Sequence, residues 1–190
     1  MNRDETMFWW PARVLHWLMA IMILTMLFVG AGLVASVSER HAWLLALHKP
    51  LGIAILALAV LRLALRRRHR PPPLPRELGA AQRWAARISH WLLYALMLAM
   101  PLIGWAMLSA GGYPIELGAG LRLPPIVPFD PAWFAPLRWL HRTLAYALFA
   151  LVLLHLGAAL HHGLIRHDGV LRSMLWRKRD TVPAAEDEAG

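Results

Sequence analysis

Four stretches of the chain are apolar on every helical face rather than along one stripe: residues 14–38, 42–62, 88–110 and 141–162. A helix that is hydrophobic all round lies in a core or in lipid, and a run of about 20 such residues crosses a hydrocarbon layer about 30 Å thick. In the first stretch the only ionisable side chain is His16, and in the third the only charged or imidazole side chain is His90. The pattern predicts an all-α protein, an integral membrane four-helix bundle. A signal peptide is the competing reading of the first stretch, but the apolar run exceeds the roughly 7–15 residues of a signal core and no small-x-small cleavage site stands out. The second stretch is interrupted by His48, Lys49 and Pro50, so its helix starts near Trp43 or restarts at Pro50. A first-turn proline gives up only a donor that had no helical partner. Pro101 and Gly104 predict a kink in the third.

Composition agrees with this pattern, at 58% hydrophobic residues and a mean hydropathy of +0.47 over 190 residues. The formal charge of +9 would suit nucleic acid or an anionic lipid surface, and its distribution separates the two. Eight arginines lie between Arg62 and Arg87, and five cationic residues between Arg166 and Arg179. The connections at 39–49 and 111–140 are nearly balanced in charge. By the positive-inside rule both termini and the second connection face the cytoplasm. The partner of the charge is then the lipid bilayer, and no nucleic acid is needed to explain it.

The domain spans residues 1–179, with an acidic, small-residue tail at 180–190 that is expected to be disordered. The run PPPLP at 71–75 predicts a stiff extended spacer. The third connection, 111–140, is rich in glycine, proline and tryptophan and predicts an ordered irregular cap at the membrane surface. With no cysteine, disulfides, thiolate-bound clusters and covalently attached c-type haem are excluded. Any metal centre must use histidine or methionine. The ten tryptophans lie mostly at span ends, where interfacial anchoring accounts for them.

The fourth stretch carries His141 and His155, fourteen residues apart. At 100° per residue they leave one helix face, roughly 21 Å apart along the axis. A buried imidazole in hydrocarbon is costly unless paired or ligated, so an intramembrane histidine marks a functional site by default. With the direction of each span fixed, the histidines sort by depth: His48 and His141 share an outer level, His16 and His155 an inner one. Two imidazoles from different helices at each level is the arrangement a planar macrocycle requires when it is held on both faces of its iron. Gly52, Gly157 and Ala158 leave room nearby, although small residues also serve plain helix packing.

His90 competes with His16 for the inner position, or hydrogen-bonds a propionate or quinone there. His161 and His162, two turns below His155, are further candidates for that second role, set against simple solvation. His41, His69 and His167 fall in connections and carry no function.

The motifs R-x-x-H-W at Arg13–Trp17, H-K-x-x-G at His48–Gly52, P-x-x-G at Pro101–Gly104 and H-R-x-x-A at His141, followed by His155, together resemble the bacterial di-haem cytochrome b561 family over residues 7–179. That family is related to the cytochrome b subunits of nickel-iron hydrogenases. The resemblance implies two haem b groups, with iron ligated by the pairs His16/His155 and His48/His141. The short loops look more like the stand-alone members, for which superoxide:ubiquinone oxidation is the implied activity.

A bis-imidazole iron has no open coordination position, so it passes electrons rather than activating oxygen. The expectation is transmembrane electron transfer, with superoxide oxidised outside and a membrane quinone reduced. Arg13, His90 and Arg166 inside, and Lys49, Arg138 and Arg142 outside, are the candidate propionate partners. One alternative is a membrane-anchor subunit passing electrons between a partner redox protein, a dehydrogenase or hydrogenase, and quinone. Another is a non-redox protein binding metal or relaying protons, although tetrahedral zinc wants three or four ligands at one level where the sequence offers two.

Overall fold

The computed structural model describes residues 7–69, 72, 78–118 and 120–175. Four long helices dominate: α1 (Trp10–Ala35), α2 (Glu39–Arg68), α3 (Ala80–Ala110) and α4 (Pro131–Leu160). Each is long and apolar enough to cross a membrane, α1 being the shortest at 26 residues, about 39 Å by helical rise. Their outer faces carry large hydrophobic side chains such as Phe28, 79% exposed, and Leu154, 70% exposed. In water such surfaces would be a liability; against acyl chains they are the expected exterior. The fold is therefore an all-α four-helix membrane bundle.

The helices run past the apolar stretches at their ends. α4 begins at Pro131, inside the connection expected to be irregular, because Asp130 Oδ1 accepts from the Ala132 amide at 3.0 Å and proline sits at the first helical position. α2 runs unbroken through Pro50. One lost backbone bond in the middle of a 30-residue helix does not outweigh the remaining ladder when lipid offers no other partner. Between α3 and α4 lies a small antiparallel hairpin, β1 (Ile115–Glu116) and β2 (Arg122–Leu123), closed by an Arg122–Glu116 ion pair of 2.7 Å. Trp105 Nε1 donates to the Pro124 carbonyl and Lys49 Nζ to the Pro114 carbonyl, tying this cap to α3 and α2.

The tightest packing joins Leu15, Met19 and Ile23 of α1, Ile55 and Ala59 of α2, and Tyr94 and Met97 of α3. α4 packs chiefly along α3, and Leu148 is its one buried residue. After α4 the chain passes through a π-helical turn, His161–Arg166, and a 3-10 turn, Arg172–Met174. It then lies against α1: Arg13 Nη1 donates to the Leu175 carbonyl, Trp17 Nε1 to the Met174 carbonyl and the Phe8 amide to the Ser173 carbonyl. The expected spacer at 71–75, apart from Pro72, and the whole tail at 180–190 lie outside the described residues.

Candidate functional site: two imidazole pairs

α4 supplies one histidine to each level. The His48 and His141 rings stand 6.1 Å apart between centres with their planes at 67°. The His16 and His155 rings stand 6.3 Å apart at 74°. The four histidines singled out by depth therefore meet in pairs drawn from different helices. His90 comes to the inner level as well, its ring centre 5.5 Å from that of His155.

The spacing permits a test of fit for a bis-imidazole metal. With metal–imidazole bonds of about 2 Å on opposite sides and each ring centre roughly 1 Å behind its nitrogen, the centres should stand about 6 Å apart. Both pairs match, whereas His90 and His155 are closer than that span. At the outer level His48 Nδ1 is buried with no hydrogen-bond partner among the described residues, and His141 Nδ1 is buried with only the Met100 backbone beside the ring. Buried imidazole nitrogens in hydrocarbon call for a partner. Gly104 gives the His141 ring its place: a β-carbon there would stand 3.2 Å from Cε1. The P-x-x-G motif thus makes space for an imidazole besides sitting at a proline.

Arg62 was not singled out by sequence, yet it lies within electrostatic reach of His16, His90 and His155. Its Nε donates to Tyr94 Oη at 3.1 Å and its Nη1 to the Ala12 carbonyl at 3.0 Å, so one guanidinium joins three helices. The available signal was its position, the first arginine after an apolar run and hence drawn back toward the core. Of the inner propionate candidates, Arg13 is bound to the Leu175 carbonyl, and Arg166 donates to Gln82 Oε1 at 3.1 Å and faces Asp168. Outside, Lys49 is tied to Pro114 while Arg138 and Arg142 are exposed.

Below the inner level, His162 Nδ1 donates to Asp168 Oδ2 at 2.5 Å, and the Asp168 side chain is 6% exposed. Burial alone would raise this carboxyl, but the His162 hydrogen bond, the Val170 amide and the Arg166 charge together hold it below the ordinary carboxylate value. Asp168 is the sole acidic residue between Asp130 and Asp180, a cue that sequence offered and that only the π-helical turn explains. The remaining histidines are local: His41 Nδ1 donates to the Ser36 and Leu33 carbonyls, His69 stacks on Trp9 at 4.1 Å, and His167 Nδ1 donates to the Ile165 carbonyl. Among the described residues no three or more His, Asp or Glu side chains converge as a metal-ion site.

The family model described as prokaryotic cytochrome b561 matches residues 8–177. The chain belongs to the prokaryotic cytochrome b561 family. It is 31% identical over 137 residues to the probable superoxide oxidase CybB of Yersinia pestis, covering 72% of this chain and 77% of that protein. It is 32% identical over 164 residues to cytochrome b561 homolog 2 of Escherichia coli K12, covering 84% and 86% respectively. Cytochrome b561 homolog 1 of the same organism is 31% identical over 132 residues, covering 70% and 74%. Members of the family are haem-dependent transmembrane electron carriers that typically bind two haem b groups through pairs of histidines. Membership makes this chain a redox-active multi-pass membrane protein.

Proposed function

We propose that the chain carries electrons across the bacterial inner membrane through two haem b groups, ligated by His48/His141 at the outer level and His16/His155 at the inner one, from superoxide to ubiquinone. The observation that carries the proposal is the pair of ring spacings, 6.1 and 6.3 Å, reached by four histidines from three helices. When bound, the haem iron would supply one-electron chemistry. The residues do the rest. α4 fixes the separation of the levels through fourteen residues of helix, roughly 21 Å. Gly104 seats His141, Arg62 offers positive charge for a propionate at the inner level, and His90 is placed beside His155 to hydrogen-bond a quinone or propionate.

Each superoxide loses one electron to become dioxygen, so two are consumed for each ubiquinone, which also takes up two protons. Exposed Arg138 and Arg142 near His141 give a small anion a favourable approach to the outer level. The name of the Yersinia relative supports superoxide as donor. The one-sided arginines support cytoplasmic termini.

Purified protein in liposomes with ubiquinone should hold two low-spin haems by pyridine haemochrome and form ubiquinol when superoxide is supplied. One haem or none would overturn the ligand assignment; two haems without superoxide-dependent ubiquinol would overturn the donor. An alkaline-phosphatase fusion after residue 179 should be inactive, and an active one would reverse the orientation.

A further inference from the structure

At the arginine-rich end of the bundle, α1 and α2 leave a cleft with two kinds of wall. Phe8, Trp9, Leu15 and Leu65 make it apolar, and Arg62 and Arg66 make it cationic. Arg66 is half-buried with its guanidinium 5.5 Å from the centre of the Tyr94 ring, an orientation that points the side chain inward rather than into water. Its neighbours Arg67 and Arg68 are exposed. Among the described residues no carboxylate pairs with any of Arg62, Arg66, Arg67 or Arg68. Trp9, 43% exposed and stacked on His69, also lines the cleft, and tryptophan favours the boundary between headgroups and acyl chains.

We infer that this cleft is a binding site for an anionic phospholipid, whose phosphate is held by Arg66 beside Arg62 and whose acyl chain lies along the apolar wall. A guanidinium matches the geometry of a phosphate through paired donors, and basic pockets between membrane helices take anionic headgroups. A soluble anion would leave the aromatic and aliphatic wall without a role. Charge complementarity and the apolar wall therefore select the lipid.

The test uses the haem-loaded protein in phosphatidylcholine nanodiscs doped with phosphatidylglycerol, with lipids retained on gentle extraction counted by native mass spectrometry. Wild type should keep phosphatidylglycerol in preference to phosphatidylcholine. Arg66→Gln should lower that preference about fivefold. Ala12→Leu, which fills the cleft without altering charge, should lower it too. The Arg67→Gln/Arg68→Gln double variant should leave it intact. Inorganic phosphate should not displace the lipid. The proposal is overturned if wild type shows no preference, if whichever of Arg66→Gln and Ala12→Leu folds behaves as wild type, if the double variant loses as much as Arg66→Gln, or if inorganic phosphate competes.

Discussion

The two imidazole levels have nearly the same ring spacing, 6.3 and 6.1 Å, but their surroundings differ in kind. At the outer level the neighbours are shape: Gly104 against the His141 ring, and a buried His48 Nδ1 with no hydrogen-bond partner among the described residues. At the inner level they are charge: Arg62 close to three imidazoles, Tyr94 on that guanidinium, and the His162–Asp168 pair below. The same α4 geometry therefore serves one level tuned by packing and another tuned by electrostatics. Perturbations of volume should act outside and perturbations of charge inside.

The largest effects should follow loss of a ligand. His48→Ala and His141→Ala should each reduce the haem content from about two per chain to about one by removing the outer haem, and His16→Ala and His155→Ala should do the same inside. Within a pair the double variant should be little worse than either single, because one missing ligand already releases that haem; across pairs the losses should add. His90→Ala should keep both. A redox titration with spectra resolving the two haems decides the matter, and loss of a low-spin signal in His90→Ala but not in His16→Ala would move the inner ligand to α3.

Gly104→Ala asks whether shape governs the outer level. The added β-carbon would meet His141 Cε1 at 3.2 Å, so the ring must give way by a few tenths of an ångström. Overpacking of this kind costs about 1–3 kcal/mol. The outer haem should be released at lower temperature while the inner one is unchanged. Equal weakening of both would show that the variant disturbs the bundle rather than the ring.

Arg62→Gln probes the inner level by charge. Removing a cation beside the site favours the more positive oxidised state, so the inner midpoint potential should fall by tens of millivolts, on the order of a Coulomb interaction at an effective dielectric near 20. Arg62→Lys should restore most of it. An unchanged inner potential in Arg62→Gln, or an outer potential that falls as far, would remove the electrostatic distinction between the levels.

The spans and the histidine pairing were legible because hydrocarbon imposes a simple rule: each ionisable side chain in an apolar run needs a partner, and helical rise gives its depth. Helix ends were less legible. α4 starts at Pro131 because of the Asp130 cap, and that is decided by hydrogen bonding and not by hydropathy. The hairpin at 115–123 has only two residues in each strand and an exposed cross-strand ion pair between residues six apart, signals too short for periodicity to register in a stretch rich in glycine and proline. Arg62 is hidden from sequence because its partners, Tyr94 and Ala12, come from other helices and have no fixed spacing along the chain. Asp168 is hidden for a different reason: its partners His162, Arg166 and Val170 are close in sequence and are brought to it by a π-helical turn that hydropathy does not announce.

The smallest effect should come from the polar floor beneath the inner level. Asp168 accepts from His162 Nδ1 and the Val170 amide, and Arg166, which also reaches Gln82 of α3, lies beside it. Because its folded carboxyl titrates below the unfolded value of about 4, the stabilisation is fully present above that value and is lost as the pH falls through the lower, folded one. Asp168→Asn should therefore weaken this corner at pH 7 by about 1.5–3 kcal/mol, the contribution of a charged hydrogen bond. The readout is hydrogen exchange at the Val170 and Ser173 amides in detergent, faster in the variant at neutral pH and converging with wild type in acid. The outer level should not respond at either pH. If exchange in the variant matches wild type at pH 7, the carboxylate does not hold the turn, and the inner level's dependence on charge ends at Arg62.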